Sequence, residues 1–149
     1  MPQRRGLCSV SSLTAVCLLV LAGCGEKAAV VKGTIVLPSH IKLIDTDQGK
    51  ILFVPQEKNT PASSATISSS DNSFVVNGPT NHGVPLGKYK IIVRFKPYPG
   101  DPSSENRAQL FARINDKYDE EVSKLTYEVT ADSTQSITID LIKGTVTKN

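Results

Sequence analysis

In the segment KYKIIVRFK, residues 88–96, Tyr89, Ile91, Val93 and Phe95 alternate with Lys88, Lys90, Arg94 and Lys96, and only Ile92 breaks the rhythm. Successive side chains of an extended chain point to opposite faces, so this period belongs to a strand with one face buried and the other in water. The same period returns near the end of the chain. Leu125, Tyr127 and Val129 alternate with Thr126, Glu128 and Thr130, and Ile137, Ile139 and Leu141 alternate with Ser136, Thr138 and Asp140. The short polar link ADSTQ between those two segments predicts a hairpin. Residues 29–37, 50–55, 64–68 and 73–76 read as further short strands, separated by the turn-forming stretches TDQG, EKNTPAS, SSDN and NGPTNHG. About seven short strands with turn signals between them predict an all-β fold, an antiparallel β-sandwich.

One segment departs from that period. Within residues 103–122, Leu110, Phe111, Ile114, Tyr118 and Val122 recur at helical spacing, although the stretch DPSSEN before them caps a helix poorly. A short helix or an irregular packed excursion is expected here, as an insertion between strands and not as a second domain.

Ahead of the sandwich, MPQRR is a short positive segment and residues 13–22, LTAVCLLVLA, are an apolar run. A spanning helix needs about 20 apolar residues, and CSVSS at residues 8–12 interrupts this run too early. A cleaved export signal is the expectation, with a retained membrane anchor as the alternative. Leu21-Ala22-Gly23-Cys24 resembles the bacterial lipobox, the recognition sequence of prolipoprotein processing. That resemblance implies diacylglycerol transfer to the Cys24 sulfur, cleavage between Gly23 and Cys24, and an acylated N-terminus. Acyl chains add about 0.8 kcal/mol per buried methylene, so two or three of them hold a protein on a membrane without a spanning helix. Gly25 stands where lipoproteins retained at the inner membrane often carry aspartate, which favours the outer membrane. The expected division is a signal over residues 1–23, a lipidated tether over 24–28, the sandwich over 29–143 and a tail over 144–149.

Cleavage there also decides the cysteine chemistry. Cys8 and Cys17 leave with the signal, and the mature chain keeps only the lipidated Cys24. Neither an internal disulfide nor a thiol nucleophile nor a cysteine metal cluster is then expected. The formal net charge of +3 falls by two, to +1, once Arg4 and Arg5 are set aside. A nearly neutral domain without an evident basic cluster gives no reason to expect a nucleic-acid partner. With 21% charged and 39% hydrophobic residues, the chain is too apolar to be disordered and too polar to span a membrane repeatedly.

Three blocks in order are similar to the carboxypeptidase regulatory-like domain of bacterial surface lipoproteins, an Ig-like or prealbumin-like sandwich. VVKGTIVL at residues 30–37 resembles the opening V-x-G-x-V strand, and VPLGKYKIIV at residues 84–93 resembles the V-P-x-G-x-Y-x-V-x-V block. Residues 114–141 resemble the I-P-x-K-Y block and the strands after it, with Lys117, Tyr118, Ser123, Leu125 and Val129 matching, while Asn115 replaces the family's proline and Lys124 a common glycine. SSSDNSFVV at residues 68–76 is a weaker match to the family's D-x-x-G-x-F turn. The resemblance implies an architecture and no assigned activity.

Candidate sites are few. His40 and His82 lie far apart in turn-like polar settings, where a histidine is ordinarily a solvated side chain. Asp45 and Asp47 have the spacing that opens a calcium loop, but Gln56 stands where its closing glutamate belongs. Asp116 and the run Asp119, Glu120, Glu121 are flanked by Lys117 and Lys124, and a solvated loop is the plainer reading. No nucleophile elbow, phosphate loop or H-E-x-x-H motif occurs. No catalytic residue, metal or cofactor is therefore expected. Tyr98, between Pro97 and Pro99, is the most exposed-looking aromatic and the first candidate contact residue.

The leading expectation is a non-enzymatic, membrane-tethered module of the bacterial cell envelope, structural or protein-binding. Its partners would be the membrane, through lipid on Cys24, and an envelope protein or polysaccharide. The alternative is a binding lipoprotein for carbohydrate or another small ligand, assisted by calcium at Asp45, Asp47 or the acidic loop.

Overall fold

The computed structural model describes residues 27–149. The signal segment, the cleavage site at Gly23 and Cys24, and the start of the tether lie outside the described residues. The rest forms a β-sandwich. In chain order the elements are β1 (Ala28–Val36), β2 (Gln48–Pro55), β3 (Ser63–Ile67), β4 (Ser73–Val76), β5 (Val84–Pro85), β6 (Gly87–Lys96), α1 (Ser104–Lys117), β7 (Thr126–Val129), β8 (Thr134–Asp140) and β9 (Thr145–Lys148). One sheet has the order β4-β1-β8-β9, with β5 also paired to β1, and the other has the order β3-β2-β6-β7. Every pairing is antiparallel except β1 with β8, which runs parallel from Val30 opposite Thr134 to Val36 opposite Asp140.

The alternation seen in sequence is the alternation of burial. In β6, Tyr89, Ile91, Val93 and Phe95 are buried while Lys88, Arg94 and Lys96 are exposed. They meet Ile51 and Phe53 of β2 within their own sheet, and Val31, Ile35, Ile137 and Ile139 from the facing one, in a single buried cluster. Each such side chain removed from water contributes about 1.5–3 kcal/mol, so a core closed without a disulfide is sufficient for a domain of this size. Gly33, the central glycine of the V-x-G-x-V block, has a steric reason to be there. A Cβ at that position would stand 2.1 Å from the carbonyl oxygen of Ile137 on β8.

Two expectations need correction. Strands β7 and β8 do not form a hairpin: β7 pairs with β6 in one sheet and β8 with β1 and β9 in the other, so the link between them arches across the sandwich. The arch is stitched by Gln135, which is buried; Tyr127 Oη donates to Gln135 Oε1, and Gln135 Nε2 donates to the Thr130 carbonyl at 2.8 Å. Nine strands are present among the described residues instead of seven, and one of the additions is β9, in residues expected to be a tail. There, Asp140 Oδ1 accepts from the Ile142 and Lys143 amides at 2.9 Å, Gly144 takes φ 71°, and the chain returns along β8. Within residues 103–122, where a short helix or an irregular excursion is expected, the structure has the 14-residue helix α1. Ser103 makes no side-chain cap, as its surroundings suggested, and Phe111 and Ile114 form the buried face.

Helix α1 and the segment after it finish an edge that β7 leaves open. Strand β7 covers β6 only from Gly87 to Lys90. Beyond it the Ile91 amide donates to the Leu125 carbonyl at 2.8 Å, Ser123 Oγ donates to the Ile91 carbonyl at 2.6 Å, and the Val93 amide donates to the Tyr118 carbonyl at 3.3 Å. The last pair is made by a side chain. Asn115 Nδ2 donates to the Phe95 carbonyl at 2.9 Å and Asn115 Oδ1 accepts from the Phe95 amide at 2.8 Å, as a neighbouring strand would do. Asn115 therefore stands in for a strand residue at the sheet edge that β7 leaves open. Among the described residues no helix is long and apolar enough to cross a membrane.

Candidate functional site

Residues 118–125, running beside β6, face the turn between β8 and β9, and Tyr118 Oη spans the gap by donating to the Leu141 carbonyl at 2.6 Å. A cleft of about 300 Å³ opens beside this bond. Tyr118 and Leu125, 3% and 1% exposed, contribute the apolar interior, and Val122, 58% exposed, stands at the mouth. Lys117, at the end of α1, Lys124, just before β7, and Lys143 with Gly144, in the β8–β9 turn, complete the lining. No carboxylate belongs to that lining. The Lys117 ammonium lies 5.1 Å from the Tyr118 ring centroid, and Lys143 Nζ is 3.6 Å from Asp140 Oδ2. A largely apolar cavity with three lysines in its lining can accept an anion that carries an apolar body.

A second charged feature lies on the outward face of the sheet β3-β2-β6-β7. Strand β6 places Lys88, Lys90, Arg94 and Lys96 on that face, and the register sets Lys50 of β2 directly opposite Arg94. Like charges in that relation repel. Asp119 relieves part of the repulsion through an ion pair with Arg94 at 2.6 Å, and Glu128 stands opposite Lys88. Five cations and two carboxylates leave an excess of positive charge on this face. The expectation that the domain lacks a basic cluster is corrected here, because it was drawn from net charge, and pairing of two strands concentrates what the average conceals.

The sequence-derived candidates fare unevenly. Asp47 and Asp45 are both engaged within the fold. Asp47 is bound by the fork of Arg107 from α1, with Nε donating to Oδ1 and Nη2 to Oδ2, and its Oδ2 also accepts from the Ile44 amide at 2.9 Å. The Asp47 side chain is 1% exposed. Asp45 Oδ1 accepts from Ser69 Oγ at 2.8 Å. What resembles the opening of a calcium loop is a buried ion pair that ties residues 41–48 to the helix. Asp119, from the acidic run, is held below the usual carboxylate range by the Glu120 amide and by Arg94. No cluster of three or more metal-ligating side chains occurs among the described residues. His40 is exposed in a turn, and His82 lines a separate recess with Pro61, Pro79 and Pro85. Tyr98 is 54% exposed in the loop before α1, with Gly100 directly beneath its ring.

Sequence reading did not find the cleft. Lys117 and Lys124 stand out in sequence as flanks of the acidic run and as positions of the I-P-x-K-Y resemblance, and Lys143 does not stand out, since nothing in their spacing announces that the turn after β8 closes on the end of α1. Scans against protein-family models and searches of curated proteins and of solved structures find no match for this chain.

Proposed function

We propose that the chain is an exported bacterial lipoprotein, cleaved before Cys24, acylated there and held at a membrane of the cell envelope, with Gly25 favouring the outer one. The lipobox-like Leu21-Ala22-Gly23-Cys24 supports this, as does its distance from the fold. Cys24 is four residues from Ala28, the first residue of β1, an extended reach of at most about 14 Å. The sandwich, read as a carboxypeptidase regulatory-like domain, is then a non-enzymatic interaction module that works close to the lipid surface. In support of that family, its three blocks fall on β1, on β5 and β6, and on the stretch from the end of α1 through β8.

The observation that carries the binding role is the cation stripe on β2 and β6. It begins beside the tether, since the Leu86 amide, one residue before β6, donates to the Lys27 carbonyl. Its partner is accordingly an anionic one, an acidic protein surface or an anionic wall polymer. Elsewhere the contacting charges neutralise one another, Asp47 with Arg107 and Asp132 with Lys148, an arrangement suited to holding a shape and not to transferring protons. A photo-crosslinking residue at Lys50 or Lys90 is expected to capture a defined envelope species, and one at Lys32 on the opposite sheet is not. Capture from neither face, or equally from both, overturns the assignment. For the anchor, Cys24→Ala is expected to abolish processing and release the protein from membranes; unchanged mass and fractionation would refute it.

A second reading, a binding lipoprotein for carbohydrate or another small ligand, is favoured by the cleft at Lys117, Lys124 and Lys143. A thermal-shift screen with glycans and divalent ions tests its carbohydrate and calcium forms, and absence of stabilisation removes both.

A further inference from the structure

We infer that the cleft between α1 and the β8–β9 turn is a binding site for a small amphiphilic anion, an apolar body ending in a carboxylate. The inference deepens the small-ligand reading and rests on it, but it is independent of the lipid anchor.

Size, lining and charge point the same way. A volume of about 300 Å³ is at the small end for ligand sites. At about 30 Å³ per water-sized atom it holds on the order of ten non-hydrogen atoms. Its interior offers a ligand little to hydrogen-bond, because Leu125 is apolar and the Tyr118 hydroxyl is already committed to the Leu141 carbonyl. A sugar, which needs partners for every hydroxyl it buries, fits such a surface poorly. An alkyl or aryl body fits it well and would cover Val122, an apolar side chain otherwise left in water.

The rim then selects the head group. Lys117 ends α1, Lys124 lies in the loop that follows it, and Lys143 reaches the same cleft from the distant β8–β9 turn, so the fold and not a local charge run alone brings them to one opening. Among the described residues Lys124 has no ion-pair partner, and the contact of Lys143 with Asp140 is long, at 3.6 Å, and 77% exposed on the lysine side. The acidic neighbours in the same loop are turned to other uses or to solvent: Asp119 is bound to Arg94, and Glu120 and Glu121 are exposed outside the lining. A carboxylate at the mouth is thus met by cations with no competing anion in the lining, while its tail lies against Tyr118, Leu125 and Val122.

Every described element and the whole buried core lie within residues 28–148, so the test uses the chain from residue 24 onward with Cys24→Ser. Calorimetric titration with octanoate, 1-octanol, acetate and inorganic phosphate separates body from head group. Octanoate is expected to bind saturably and at least tenfold more tightly than 1-octanol, acetate or phosphate. Lys124→Gln and Lys143→Gln are expected to weaken octanoate at least threefold each without altering the melting temperature, and Val122→Ser to weaken octanoate and octanol together. Equal binding of octanol makes the cleft an apolar recess without charge selection, and equal binding of phosphate or acetate makes it a cation cluster; either overturns the inference, as does absence of saturable octanoate binding. Stabilisation by a glycan with none by octanoate would overturn it while leaving the small-ligand reading intact.

Discussion

Replacing Arg107 by leucine strands a buried charge. The Asp47 side chain is 1% exposed and the Arg107 side chain 18%, and the guanidinium provides two of the three hydrogen bonds that the carboxylate accepts. Without it, only the Ile44 amide remains. Removing one partner of a buried pair costs about 3–5 kcal/mol, mostly because the remaining charge is left uncompensated. The lost donation to the Lys42 carbonyl and the lost stacking over Phe111, 5.2 Å away, act in the same direction. Against a typical total of about 5–15 kcal/mol for a single domain, this is a large fraction. At about 3–4 °C per kcal/mol for a domain of this size, the melting temperature should fall by on the order of 10–20 °C. Urea denaturation and calorimetry of the Arg107→Leu variant measure it. The decisive control is Asp47→Asn in the same background, which removes the stranded charge and should recover most of the loss. By contrast Arg94 with Asp119, and Lys148 with Asp132, have side chains about half exposed, and breaking either should cost at most about 1 kcal/mol. A loss below about 1 kcal/mol in Arg107→Leu, or no recovery on adding Asp47→Asn, would refute the assignment of this pair as the clasp between α1 and residues 41–48.

Three further outcomes can be measured by the same unfolding experiments. Ser63 Oγ on β3 is buried without a hydrogen-bond partner among the described residues, so Ser63→Ala should be neutral or stabilising by about 1 kcal/mol, and a clear destabilisation would reveal a partner. Asn115→Leu strips both bonds from Phe95 and should cost about 2–3 kcal/mol; Asn115→Pro should cost about 3 kcal/mol or more because it falls inside α1, and tolerance of proline would contradict the helix. The carboxyl groups of Asp71, Asp101, Asp119, Asp132 and Asp140 are all held below the ordinary value of 3.8, through the Ser73 hydroxyl, the Ser103 amide, the Glu120 amide, the Lys148 ammonium and the Lys143 amide respectively. A carboxylate depressed in the folded state stabilises it above the unfolded value and loses that contribution as pH falls through the folded one. Stability should accordingly be level from neutrality to about pH 5 and fall below about pH 4, and a rise in stability at pH 3 would show that the sign is wrong.

Most of the strands can be read directly from the chain, because the alternation of Tyr89, Ile91, Val93 and Phe95 with charged residues is a local property of the pleat. It states which face a residue occupies. It carries no statement of which strand lies alongside, so ADSTQ, residues 131–135, reads as a hairpin turn although the connection is an arch between sheets, closed by Gln135. Strand β9 was missed for a related reason: TVTK is too short and too polar to show a period, and it becomes a strand only because β8 offers it an edge. Asp45 and Asp47 show in sequence only the spacing that opens a calcium loop, whereas the group that governs Asp47, Arg107, arrives from a helix sixty positions later. The lipobox-like Leu21-Ala22-Gly23-Cys24 is legible because it is a contiguous run of residues whose resemblance depends on no packing. The cleft is the opposite case. Lys117, Lys124 and Lys143 mean nothing together until the sheets close and bring the turn after β8 to the end of α1, because convergence of side chains is a long-range consequence of packing that no local period encodes.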